Sequence, residues 1–103
     1  MYIAVLDEVP DFIVPTLVAH AVLGAHLVFQ DRITYNLWLN NSFKKVVVKV
    51  SHKEFEKISL LEDVYLAHES KTLEGKNSCI VVCPRLDTPN VLKFSKLWKP
   101  HND

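Results

Sequence analysis

Apolar positions along the chain fall into short runs separated by turn residues and charges. Tyr2 to Leu6 (YIAVL) is closed by Asp7, Glu8 and then Pro10, which is the pattern of a buried strand feeding a loop. Phe12 to Phe29 is apolar except for Pro15, Thr16, His20, Gly24 and His26. Proline fits the first turn of a helix and the residue before it avoids helical angles, so this stretch predicts a long helix from Val14 or Pro15 to about Phe29. Ile33 to Phe43 (ITYNLWLNNSF) carries opposed signals, because its aromatic and β-branched residues favour a strand while Asn40-Asn41-Ser42 marks a turn; its state stays open. Lys44 to Val50 (KKVVVKV) reads as a central strand inside the sheet, so that Val47→Asp is expected to unfold the chain. Ser51 and Glu54 have capping-box spacing, which starts a helix at His52 that should end near Leu61, with Phe55, Ile58 and either Leu60 or Leu61 facing inward. Val64 to Ala67 and Ser78 to Cys83 (SCIVVC) are two further strands, and Thr88-Pro89 opens a last helix ending near Trp98.

Strand, helix, strand, helix, strand, strand, helix is the order of an α/β fold: a small mixed four-stranded sheet with helices on both faces. The 103 residues suit one domain, residues 1–103, and two glycines leave no flexible linker for a second. Phe12 to Phe29 is barely long enough to span a bilayer. Its two histidines and the acidic flank of Asp7, Glu8 and Asp11 favour a core helix over a membrane span or a signal peptide. The expected location is therefore the cytoplasm, with no membrane partner.

Composition changes this picture little and electrostatics somewhat more. Apolar residues make up 49% and charged residues 23%, which excludes a disordered chain. Twelve basic residues balance twelve acidic ones, so no global field attracts nucleic acid. The balance is uneven along the chain: Arg32 stands against Asp7, Glu8, Asp11 and Asp31 in residues 1–43, whereas eleven basic residues face eight acidic ones in residues 44–103. Lys71, Lys76 and Arg85 could form at most a modest phosphate patch, with no aromatic residue among them for base stacking. Cys79 and Cys83 on one strand would be separated by roughly 13 Å, too far for a disulfide or a shared zinc ion. Phosphate-loop, dinucleotide, serine-hydrolase and zinc motifs are absent from the sequence, and no cofactor is expected.

Three stretches together resemble the type II peptidyl-tRNA hydrolases and the bacterial domain families that share their fold. VPTLVAHAVLGAH is similar to the family's first helix, LWLNNSFKKVVVKVSHKEFEKI to its Trp, valine strand and capped helix, and VYLAHESKTLEGKNSCIVV to its strand, Asp-Ala-Gly-Arg-Thr loop and next strand. DTPNVLKFSKLWK resembles the closing helix and its tail. The resemblance implies cleavage of the ester joining a stalled peptide to tRNA. It makes His20 and Thr72 retained catalytic positions, with His68 where the family's loop aspartate stands. Lys71 replaces the loop arginine and Ser70 the glycine. Ile13 or an apolar neighbour takes the place of the helix lysine, and Leu17 that of the glutamine.

Water activation, oxyanion stabilisation and a grip on the tRNA end all need polar groups, and two of these roles have lost theirs. The leading expectation is therefore a non-catalytic binding or regulatory module on this fold, taking a small ligand or a protein partner. The alternative is a peptidyl-tRNA hydrolase in which His68 serves as base, and only there is tRNA a partner. The expected cleft brings Thr16 and His20 of the first helix towards His68, Glu69, Lys71 and Thr72. His20 itself reads either as a hydrogen-bonded core residue or as a cleft-lining one. Two aromatic groups, Tyr35 with Trp38 and Phe94 with Trp98, are candidates for the core or for a homodimer contact.

Overall fold

The computed structural model describes residues 1–68 and 77–101. Five strands form one mixed sheet in the order β3-β4-β1-β2-β5, with β1 Tyr2–Leu6, β2 Val46–Val50, β3 Val64–His68, β4 Asn77–Val82 and β5 Lys96–Leu97. β1 runs parallel to β2, with Ala4 opposite Val48, and antiparallel to β4, with Ala4 opposite Ile80. The parallel pair requires a crossover. It is made by α1 Val14–Phe29, entered through a single 3-10 turn at Asp11–Ile13 and followed by α2 Ile33–Leu37.

Alternation along the strands divides the core in two. Ile3, Val5, Cys79 and Val81 face α1, where Leu17, Ala21, Ala25 and Phe29 bury one side of that helix. Ala4, Val48, Ile80 and Val82 face the other way, against Ile58 of α3 His52–Ser59 and Leu92 of α4 Asn90–Lys93. Helices thus cover both faces of the sheet. α3 begins as its capping box requires: the Glu54 N–H donates to Ser51 Oγ at 3.2 Å and the Ser51 N–H to Glu54 Oε1 at 2.9 Å. Leu61, rather than the exposed Leu60, supplies the last inward position.

The ambiguous stretch after α1 is helical. α2 passes directly into a π-helical turn at Trp38–Ser42, which stops where Phe43 adopts a left-handed φ of 56°. Asparagines are poor helix formers because their amides compete for backbone groups. Here those amides bond within the helical segment: Asn36 Nδ2 donates to the Arg32 carbonyl, Asn40 to that of Asn36 and Asn41 to that of Leu37. Tyr35 and Trp38 point into the core, so burial decides in favour of the helix.

Two expectations need correction at the C-terminal end. The last helix stops at Lys93, after one turn that Thr88 does not cap, and the chain then forms β5, making the sheet five-stranded instead of four. The Trp98 N–H donates to the Val47 carbonyl at 2.9 Å. A helix continued to Trp98 would leave that β2 edge unpaired, and a free sheet edge carries unsatisfied backbone groups. β2 is accordingly a next-to-edge strand. Val47 is half-buried, whereas Val48 and Val50 are enclosed.

Candidate functional site

The strand directions give the sheet two functional ends. β3 is antiparallel to β4, which is antiparallel to β1, so β1, β2 and β3 all point the same way and α1 returns against them. At the carboxyl ends of these strands lie the start of α1, the start of α3 and the tail at Lys99–His101. In open α/β sheets, ligands commonly bind at that end.

Thr16 and His20 are both on α1, and both are exposed. His20 therefore does not sit in the core. Gly24, one turn further on, packs against Tyr65 of β3: a Cβ at that position would meet the Tyr65 hydroxyl and lie 2.6 Å from its Cζ. Stepping back one turn along α1, about 6 Å, corresponds to two residues forward on β3, which brings His20 level with Ala67 near the strand's end. The same arithmetic points the start of α1 towards the carboxyl end of β3. His68 closes that strand, opposite Asn77 and next to a register shift between Ala67 and His68. Glu69, Lys71 and Thr72, like Ser70 and Lys76, lie outside the described residues. Ile13 and Leu17 belong to the core, 8% and 1% exposed.

A crevice of about 470 Å³ opens at this same end, lined among others by Lys49, Glu54, Lys96 and Lys99. The tail partly covers it. The Lys49 ammonium donates to the Lys99 carbonyl at 2.5 Å and stands 5.5 Å from the Trp98 ring centre. The His101 N–H donates to Asp11 Oδ2 at 2.7 Å, and its ring nitrogens meet the Asp11 carboxylate and the Asp7 carbonyl. Desolvation pushes the Asp11 carboxyl up, but the hydrogen bonds from His101 outweigh it and hold the group below its ordinary range.

The opposite end of the sheet carries a different cavity, of about 350 Å³. Its apolar wall is built from Tyr2 of β1, Leu37 and Trp38 of the α2 segment, and Leu86 and Leu92 beyond β4, with Cys83 at the strand's exit. Thr34, Ser42, Thr88 and the Arg85–Asp87 ion pair supply the polar groups. The helical state of residues 33–42 is what brings Leu37 and Trp38 here. Trp38 is then held by its indole N–H, which donates to the Lys44 carbonyl at 2.7 Å, and by stacking on Phe43 at 5.4 Å, with the Lys45 ammonium over both rings.

Burial disfavours the thiolate form of both cysteines. Burial pushes the Cys79 thiol up to about 12. It also raises Cys83, against the opposing effect of the Thr34 hydroxyl 3.9 Å away. Arg85 is paired with Asp87 at 3.1 Å, and its hydrogen bond lowers the Asp87 carboxyl. Among the described residues no group of three or more His, Cys, Asp or Glu side chains could hold a metal ion.

The cleft expected from the sequence joins Thr16 and His20 to residues 68–72, and neither Thr16 nor His20 lines this cavity. Its one sequence signal was the segment from Cys83 to Pro89, two prolines bracketing Arg85, Leu86 and Asp87 directly after a buried strand.

Fold and cavities together define a small α/β domain with a mixed five-stranded sheet and helices on both faces. No family model, curated protein or solved structure matches the chain.

Proposed function

We propose that this chain is a non-catalytic binding module that takes a small, mainly uncharged ligand in the cavity between β1, the α2 segment and the loop after β4. The observation that carries this reading is the cavity itself. It falls within the volume range of small-molecule sites, and its aromatic and aliphatic walls are joined by Thr34, Ser42, Thr88 and a mutually neutralising Arg85–Asp87 pair that can orient a guest. Support for the absence of catalysis comes from the type II peptidyl-tRNA-hydrolase resemblance. Where that family places a cation and an amide on its first helix, Ile13 and Leu17 are enclosed side chains with no donor to offer a phosphate or an oxyanion.

The test is an NMR titration of 15N-labelled protein with a panel of uncharged aromatic and aliphatic compounds. A binder should shift resonances around Leu37, Trp38, Cys83 and Leu86, and Leu37→Arg should abolish the shifts while preserving the fold. Peptidyl-tRNA turnover that disappears in His68→Ala would overturn the reading. Submicromolar tRNA binding at about 150 mM salt that is lost in Lys71→Ala would overturn it too, since few lysines are available to neutralise phosphate and affinity should fall steeply with salt.

A further inference from the structure

The helical segment Asp11–Phe29 has a mean hydropathy of 1.9 and contains no charge after Asp11, yet only a third of it is buried. One face of α1 accounts for the buried part. On the opposite face Thr16, Ala19, Leu23 and Leu27 recur at helical spacing, with Phe12 of the preceding 3-10 turn at the end of the row, and all five are exposed: Phe12 to 77%, Leu23 and Leu27 each to 64%. A helix that is apolar all round is normally enclosed on all sides.

We propose that this face is the contact of a two-fold symmetric dimer, in which α1 of one copy packs antiparallel on α1 of a second. Area favours this occupant. With Phe12, Leu23 and Leu27 well over half exposed, the row and its flanking Pro15 and His20, the polar Thr16 and His20 included, expose on the order of 600 Å². Two such faces, wholly covered, bury about 1,200 Å², where specific stable interfaces begin.

The row is also self-complementary. About a centre between Ala19 and His20, Phe12 of one copy meets Leu27 of the other and Thr16 meets Leu23. The small Ala19 sits where the axes must approach to about 8–10 Å, and the antiparallel helix dipoles attract. A lipid surface fits less well. The row carries no Lys or Arg for anionic headgroups, the residues before it are Asp7, Glu8 and Asp11, and spanning a bilayer would pull Leu17, Ala21 and Ala25 out of the core.

Sedimentation velocity from 1 to 200 μM should give a particle of twice 11.8 kDa. Leu23→Glu places two carboxylates in the contact and should weaken association by at least about 100-fold, with an unchanged far-ultraviolet spectrum. Ala19→Cys should form an interchain disulfide on mild oxidation, whereas Glu56→Cys on α3 should not. A monomer at 200 μM would overturn the proposal, as would a dimer insensitive to Leu23→Glu. A monomeric chain that floats with phosphatidylcholine–phosphatidylglycerol vesicles, and loses them in Leu23→Glu, would assign the face to lipid instead.

Discussion

Gly24→Ala sets two effects of known sign against each other. In an open helix interior alanine is better than glycine by about 1 kcal/mol, so on propensity alone the substitution stabilises. Against it stands Tyr65. The new Cβ would lie 2.6 Å from Cζ and 2.8 Å from Cε2 of the ring, with the hydroxyl closer still. Ordinary carbon contacts begin near 3.5 Å, so the ring or the helix must move by roughly 1 Å. The ring cannot bend, and Tyr65 is half-buried against the α1-side core, so it yields by pivoting off its own packing or by pushing α1 from the sheet. Overpacking of this kind costs about 1–3 kcal/mol.

The net expectation is destabilisation by about 1 kcal/mol, or a fall in Tm of roughly 5–8 °C for a domain of this size. In a Tyr65→Val background the obstacle is gone and the same substitution should stabilise by up to about 1 kcal/mol. Urea unfolding of the four proteins, followed by circular dichroism, measures the coupling directly, and its expected value is about 2 kcal/mol. Gly24→Ala stabilising in both backgrounds, with coupling below about 0.5 kcal/mol, would refute the close approach of α1 to β3.

Val48 is 1% exposed in the core under α3 and α4, so Val48→Asp should abolish the cooperative melt, because an unpaired buried carboxylate costs several kcal/mol against a total of about 5–15; Val47→Asp, half-buried near the sheet edge, should retain a transition at lower temperature. Ser51→Ala removes the acceptor for the Glu54 N–H and should cost about 1 kcal/mol in denaturant unfolding, with faster hydrogen exchange confined to the first turn of α3. Cys79 should resist iodoacetamide until the protein unfolds. Its thiol ionises near 9 when unfolded and at about 12 when folded, so between these values the native state holds the extra proton and stability falls as pH rises, by about 1.4 kcal/mol per pH unit; the Cys79→Val variant should lack that part of the slope.

What the amino-acid sequence determined by itself is local. The span of α1 follows from Pro15 and an uninterrupted apolar run, β1 from its five apolar residues, and the start of α3 from the reciprocal Ser51–Glu54 bonds, each a matter of neighbours within a few positions. What the tertiary structure decided depends on groups far apart in the chain. Residues 33–42 became helical because Tyr35 and Trp38 reach the core that way while their asparagines bond to carbonyls four residues back, and 96–97 became a strand because β2 had an open edge. The same holds for the candidate sites. His20 was legible as an unusual residue, but its exposure follows from α1 burying Leu17, Ala21 and Ala25 against the sheet, which leaves Thr16 and His20 in solvent. The cavity lined by Tyr2, Leu37, Trp38 and Leu86 joins three segments that meet only when the strands are in register, because burial is a property of the assembled layers and no local pattern encodes it.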